Sequence, residues 1–216
     1  MDQPTAATVR ARRPRSGTPA RREEIVRAAA RTFAEKGYRR GSLAEVAEQV
    51  GITHAGVLHH FGSKEQLLVA VLQQRDEDGL RDLADGHDPH GRELFAHLVR
   101  TMRANERRAG IVQGYTVLVG EAVTAEHPAR EWVTRRFEAV RTSVADAVQE
   151  MGPHVGREAA LRAAEAVVAV MDGLQVQWLL DDSVELADTS AFAIEAILAA
   201  VLAGPDAPRP VGDVPR

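Results

Sequence analysis

The feature that most restricts the fold is a pair of short, sharply bounded helical segments between residues 42 and 61. Ser42 and Glu45 form a capping box, in which each side chain accepts a hydrogen bond from the other residue's backbone N–H at the start of a helix. Gly51 permits a tight turn, and Thr53 can cap a second helix that runs to about Phe61. This spacing predicts a helix-turn-helix, which presents its second helix to the DNA major groove, although an ordinary corner between two helices has the same pattern.

The rest of the sequence also favours helices. Apolar residues recur at helical spacing, and no alternating segment of β-branched residues between turn signals predicts a strand. We therefore predict an all-α fold in which a three-helix N-terminal unit precedes a larger helical bundle. The predicted helices span about 19–36, 43–50, 53–61, 63–83, 92–108, 110–125, 129–151, 157–181 and 189–203.

Composition divides the chain into four segments. Residues 1–17 are rich in Arg, Pro, Thr and Gly and predict a disordered basic arm, whereas residues 18–64 contain the helix-turn-helix. Residues 65–203 form the helical body. Residues 204–216 contain four prolines, which cannot continue a helix, and predict a disordered tail.

The net charge of −4 conceals a strong asymmetry. Residues 1–64 hold 12 Lys and Arg against 6 Asp and Glu, whereas the remaining 152 residues hold 15 against 25. A basic first third beside an acidic remainder indicates that one end of the molecule meets a polyanion such as DNA.

Several classes of protein are excluded by missing motifs. The sequence has no Cys, which excludes disulfides, Cys-ligated zinc and thiol nucleophiles. Its N-terminus lacks the apolar core of a signal peptide, so we expect a cytoplasmic location. The histidines at 54, 59 and 60 lack the spacing that places two imidazoles on one helix face, and phosphate loops and nucleophile elbows are missing. We therefore expect no metal, no cofactor and no enzymatic activity.

One set of residues over about 19–70 points to a known family. It comprises Phe33, Gly37, Tyr38, Ser42, Val46, Ala47, the run from Val50 to Thr53 and the run from Leu58 to Leu68. This set resembles the N-terminal DNA-binding domain of the TetR-type transcriptional repressors, and the run from Met171 to Leu180 is similar to the penultimate helix of one branch. The resemblance implies an all-α homodimer in which residues 65–203 sense a ligand and dimerise.

The resemblance also implies roles for individual residues. Ser42 would cap its helix against a phosphate, Lys64 would contact another phosphate, and the first turn of the third helix would read bases. Leu58 stands where many members have a phosphate-binding Tyr, so that contact is lost or passes to a neighbouring His. The complete set of DNA-contact candidates is Ser42, Thr53, His54, Ala55, Gly56, His59, His60 and Lys64.

In the body, few aromatic and polar side chains are available for an effector pocket. The candidates are Phe95, Met102, Trp132, Phe137, Met171 and Gln175, although such residues at helical spacing also build ordinary cores. The last two predicted helices are apolar on more than one face, which favours dimerisation through them or burial within one protomer. A charge at Leu198 or Val201 is therefore expected to give monomers.

Together these observations predict a ligand-responsive DNA-binding transcriptional regulator. The favoured form is a homodimeric repressor that a small apolar or amphipathic molecule releases from a palindromic operator. An activator or a ligand-blind regulator is an alternative of the same class. A helical small-molecule carrier or an enzyme without DNA binding is an alternative of another class.

Overall fold

The computed structural model describes residues 19–81 and 89–203, and on the fourth helix it describes side chains as far as Gln74. The predicted basic arm, the Pro-rich tail and most of the predicted loop at 85–91 lie outside these residues. The described chain folds into helices and the turns between them, which confirms the all-α prediction. The helices are α1 (Pro19–Arg40), α2 (Leu43–Val50), α3 (His54–Phe61), α4 (Lys64–Arg81), α5 (Gly91–Asn105), α6 (Ala109–Ala122), α7 (Arg130–Met151), α8 (Arg157–Leu180) and α9 (Leu186–Leu202).

Most helix bounds lie within three residues of the predicted ones, and α1 is the exception. The helical segment extends to Arg40, but Gly37 has the non-helical angles φ 73° and ψ 169°, so the regular helix ends there as predicted and a kink separates it from one further turn. The Tyr38 N–H that follows donates to Glu121 Oε2 of α6 at 2.7 Å. A Cβ at residue 37 would lie 2.5 Å from Glu121 Oε1, the end of a flexible side chain that would have to move, so the positive φ is the stronger reason for Gly.

α9 begins three residues earlier than predicted because the preceding turn is compact. Asp181 accepts from both the backbone N–H and the hydroxyl of Ser183, at 3.0 and 2.6 Å. The Val184 N–H donates to the Asp181 carbonyl, which reverses the chain within four residues. Leu186 can then enter the core as the first residue of α9, where it is fully buried.

The first hydrophobic core crosses the boundary predicted at residue 64. Ile25 and Phe33 of α1, Val46 of α2 and Val57 of α3 belong to the same buried cluster as Leu118 of α6. Residues from the first turns of α4 and from the start of α7 complete the cluster. The helix-turn-helix is therefore packed directly on the body, with α1 lying along α6.

The second core lies among α5, α7, α8 and α9. Leu198, where a charge was predicted to separate a dimer, is 2% exposed within this core. That prediction was wrong for Leu198, since a buried charge there would disrupt the protomer itself. Val201, the other residue named for this purpose, is half-buried and packs against the same core.

Of the described helices, α8 alone is long and apolar enough to cross a membrane. Glu165 and Asp172 interrupt its apolar sequence, and the helix packs against α6, α7 and α9. The core helix of a helical bundle can meet the same criteria of length and composition.

Candidate nucleic-acid interface

Both helices of the helix-turn-helix have capped N-termini, and a left-handed Gly ends the first helix. The Ser42 Oγ accepts from the Glu45 N–H at 3.2 Å, and Glu45 Oε2 accepts from the Ser42 N–H at 3.1 Å, which completes the predicted capping box. Gly51 ends α2 in the left-handed conformation, with φ 67°. The Thr53 Oγ1 then accepts from the Gly56 N–H at 3.1 Å and caps α3. Local sequence thus builds the whole helix-turn-helix.

The first turn of α3 presents its side chains to solvent. Thr53, His54 and Ala55 are exposed, while Gly56 is half-exposed. On the opposite face, Val57 and Phe61 are buried in the first core, and α3 packs against α2 and α4. Residues 53–55 are therefore not used for packing within the protomer. They lie at the N-terminal end of the second helix, which is the part of a helix-turn-helix that enters a major groove.

Gly56 has no structural requirement within the protomer. A Cβ at this position would meet Thr53 Oγ1 at 3.4 Å and Ile52 Cβ at 3.5 Å, which are ordinary van der Waals distances. Because Gly in a helix costs up to about 1 kcal/mol relative to Ala, the choice of Gly is unexplained by folding alone.

The remaining α3 candidates differ in exposure. His59 is exposed, whereas His60 is half-buried and its ring lies 5.8 Å from that of His59. Leu58 is half-buried and packs against the first core. His59 is therefore the solvent-facing polar side chain beside the position where Leu58 replaces the family's Tyr.

Lys64 lies at the start of α4 and is bound to the end of α1. Its Nζ donates to the Arg39 carbonyl at 3.3 Å and lies 4.5 Å from the centroid of the Tyr38 ring. Burial lowers the pKa of Lys64, and the nearby carboxylates, first Glu65, oppose that shift. Lys64 is thus held against the end of α1, three residues after the end of α3.

A polar junction behind this interface was missed in the sequence. The Tyr38 hydroxyl donates to Glu65 Oε1 at 2.9 Å, and the Tyr38 ring contacts the buried His127 ring with centroids 5.1 Å apart. Burial, followed by the bond to Glu65, raises the pKa of Tyr38 and keeps it protonated. Glu121 accepts from the Tyr38 N–H and lies 3.8 Å from His127 Nε2. Because these residues are up to 89 positions apart, no local pattern could have revealed them.

The six candidates for an effector pocket fall into two groups. Phe95, Met102 and Met171 lie in the second core, where the Asn105 amide donates to Gln175 Oε1 at 3.4 Å. Trp132 and Phe137 are half-buried and pack against the first core instead. The structure therefore does not bring all six side chains into one cluster.

The described part of the chain also has no cluster of side chains that could bind a metal ion. Within residues 19–81 and 89–203, no three His, Asp or Glu side chains are gathered closely enough to hold a metal ion.

Residues 25–71 match the family model described as bacterial regulatory proteins, tetR family. The chain is 32% identical to the HTH-type transcriptional regulator TtgR of Pseudomonas putida over 76% of its length and 83% of the relative. It is 28% identical to the regulator BetI of Brucella anthropi over 86% of its length and 95% of the relative. The chain belongs to the TetR family of bacterial transcriptional regulators.

A solved structure shares the fold across both parts of the molecule. SmeT, described as the repressor of the Stenotrophomonas maltophilia multidrug efflux pump SmeDEF, matches with a TM-score of 0.67 and 19% identity. The match covers 91% of this chain and 98% of SmeT. As a member of the TetR family, the chain is a DNA-binding transcriptional regulator, in a family whose members bind operator DNA and dimerise.

Proposed function

We propose that this protein is a homodimeric repressor in the cytoplasm that reads its operator with the first turn of α3. The observation that carries the proposal is the exposure of His54 and Ala55 beside a Gly that folding does not require. An imidazole can hydrogen-bond a base edge, and Ala can contact a thymine methyl. A Gly at residue 56 lets the helix backbone approach the DNA closely.

Phosphate contacts would fix the orientation of α3 on the duplex. Ser42 and Thr53 stand at the two helix N-termini, where backbone N–H groups and the helix dipole favour anions. Lys64 brings a positive charge, and His59 and His60 would supply further donors, His59 in place of the missing Tyr. Such contacts determine position and affinity but carry no sequence information.

Dimerisation would use the exposed apolar stripes of the last two helices. On α8, Val176 and Leu180 are 42% and 84% exposed, and on α9 Phe192 is 76% exposed. Exposed Ala residues continue both stripes at helical spacing, at positions 169, 196 and 199. Large apolar side chains on two adjacent helices favour an isologous interface, which in turn requires a palindromic operator.

A small apolar or amphipathic effector would release the operator by binding the non-operator conformation more tightly. The six body residues named from the sequence remain predictions for its site, and four of them lie in or beside the second core. Helix α4 would transmit the change, since it begins at Lys64 beside the interface and runs into the body.

The interface is tested by substituting single residues on α3 and measuring DNA binding by fluorescence anisotropy. The duplexes are taken from the region that flanks the gene encoding this protein. His54→Ala should change which base is preferred at one position, at a cost of about 1–3 kcal/mol for the preferred base. Ser42→Ala is the matched control, because loss of a phosphate contact should weaken all duplexes alike. Uniform weakening by His54→Ala would instead place His54 on the backbone of the DNA.

Gly56→Ala separates the folding and binding roles of the same turn. The Ala should raise the free energy of unfolding by up to about 1 kcal/mol, since it improves helix propensity without a clash. It should also weaken operator binding if the backbone approaches the DNA at this point. A variant that is more stable and binds DNA equally well would remove Gly56 from the interface.

A further inference from the structure

We propose that a cavity between α1, α4 and α6 binds an amphipathic organic anion. The cavity has a volume of about 680 Å³, which is the size of a typical small-molecule site. None of the six effector candidates named above lines it. Its use as the regulatory site rests on the proposed repressor function, whereas binding of the anion does not.

The inner wall of the cavity is apolar. It is formed by Val26 and Ala34 of α1, Val71 and Leu72 of α4, and Leu118 of α6, all of which are buried. Ile111 also lines the cavity but is 44% exposed, so a large apolar side chain stands where the cavity meets solvent. A hydrocarbon or aromatic group entering the cavity would make van der Waals contacts with these side chains and would remove the exposed surface of Ile111 from water.

The charged groups that line the cavity are mostly positive. Four arginines, at positions 27, 31, 107 and 108, stand against the single carboxylate of Glu35. Arg27 is paired with Glu23 at 3.2 Å and Arg31 donates to Gln49 at 3.2 Å, and both contacts are exposed. Cationic side chains outnumber carboxylates among the residues that line the cavity. Because Arg recognises carboxylate, sulfonate and phosphate oxygens, the charge favours an anionic head group.

The position of the cavity gives such a ligand a direct route to the DNA-binding helices. One wall, α1, is packed with α2 and belongs to the helix-turn-helix unit, whereas the opposite wall, α6, belongs to the body. Beside the cavity these helices are already in close contact, because a Cβ at Gly114 would lie 3.2 Å from the Ala34 Cβ. A ligand that separates α1 from α6 would therefore reorient α3, and it would bind free protein better than operator-bound protein.

Binding is tested with 1-anilinonaphthalene-8-sulfonate, a fluorescent amphipathic anion, in titrations of the full chain without DNA. Decanoate should displace this probe, and neutral 1-decanol of the same chain length should compete about tenfold more weakly because it lacks the charge. The Arg31→Gln, Arg107→Gln double variant should reduce that difference, since it removes two of the four cations that line the cavity. Equal competition by decanoate and decanol in the unmodified protein would overturn the proposal.

A pair of glycines on α6 supplies a matched control for location. Gly110 lines the cavity and Gly120 does not, yet both are exposed and neither would bring a Cβ within 4 Å of another group. Gly110→Phe should therefore block the probe, and Gly120→Phe should bind it as the unmodified protein does. Equal affinity of the two Gly variants for the probe would show that the probe does not bind in this cavity. If Gly110→Phe fails to fold, the Arg31→Gln, Arg107→Gln variant tests the location instead.

The regulatory role is tested by adding decanoate to the complex with DNA from the region flanking the gene. Decanoate should weaken DNA binding some 5- to 150-fold, the usual range for coupled sites, and DNA should weaken decanoate binding by the same factor. Decanoate that binds in the cavity without changing DNA affinity would overturn the regulatory role. Failure of the protein to bind any DNA would overturn the repressor function instead, while the anion site would be judged by the titrations without DNA.

Discussion

At the residue scale, His127 is the most constrained titratable side chain of the junction between the DNA-binding unit and the body. Its Nδ1 accepts from the Ala129 N–H at 3.2 Å, which places the proton of the neutral ring on Nε2. That nitrogen is buried and 3.8 Å from Glu121 Oε2, beyond a normal hydrogen bond. Burial lowers the pKa of His127, and Glu121 opposes this shift while Arg39 adds to it.

This environment predicts a loss of stability in weak acid. Since the folded pKa of His127 lies below the ordinary value of 6.5, the unfolded chain binds more protons between the two values. The contribution of His127 to the free energy of unfolding is therefore complete above about pH 6.5 and falls as the pH decreases through that value towards the folded pKa. Urea unfolding at a series of pH values measures this slope.

His127→Gln should flatten the slope below pH 6.5 because it removes the titrating group. His59→Gln, at an exposed position on α3, controls for the loss of one imidazole. A slope that is the same in the His127 variant and in the unmodified protein would show that His127 does not differ in pKa between the folded and unfolded states.

At the scale of elements, α8 and α9 carry two different apolar surfaces. One surface is buried in the second core and includes Leu174 and Leu198. The other is exposed and includes Leu180 and Phe192. A helix that needs only to pack within its own protomer requires a single apolar stripe, so the second surface calls for a partner.

Phe192→Asp and Leu180→Asp should therefore each shift the protein from dimer to monomer, since a charge would be buried without a partner at the interface. Sedimentation velocity measures the outcome, and circular dichroism should show an unchanged helix content. Val123→Asp is the matched control, because Val123 is also a large exposed apolar residue, at 72%, but follows α6. Dimers that persist in both variants would place the interface elsewhere.

At the scale of the whole molecule, charge is separated along the chain. The first 64 residues have a formal charge of +6 and the remainder −10, so the DNA-binding end is attractive to DNA and the body repels it. Binding should weaken linearly with the logarithm of the salt concentration, with a slope of about −0.9 for each phosphate contact.

Lys64→Ala should reduce that slope by about 0.9 for each protomer if its ammonium leaves Arg39 for a phosphate. Arg162→Ala is the control, because Arg162 is an exposed cation of the body, paired with Glu158. Removal of residues 1–17 should reduce the slope further if the basic arm contacts DNA. A Lys64 variant with the slope of the Arg162 variant would exclude Lys64 from the interface.

The sequence by itself determined the features that depend on local interactions. The cap at Ser42, the left-handed Gly51 and the cap at Thr53 each depend on hydrogen bonds between residues no more than four positions apart. Their pattern in the sequence was therefore sufficient to predict the helix-turn-helix. The fold class and most helix bounds followed from the same local rules. The resemblance to a known family added the expectation that the protein is a DNA-binding repressor.

Only the tertiary structure decided which distant residues meet. Gly37 interrupts α1 as predicted, but the sequence could not show that Glu121, 84 residues away, accepts from the Tyr38 N–H just beyond the kink. Leu198 lies on a helix that is apolar on several faces, so its sequence could not show which face is buried. The cavity between α1, α4 and α6 was likewise not predicted, since its walls come from three separate segments and its shape depends on how closely the helices pack.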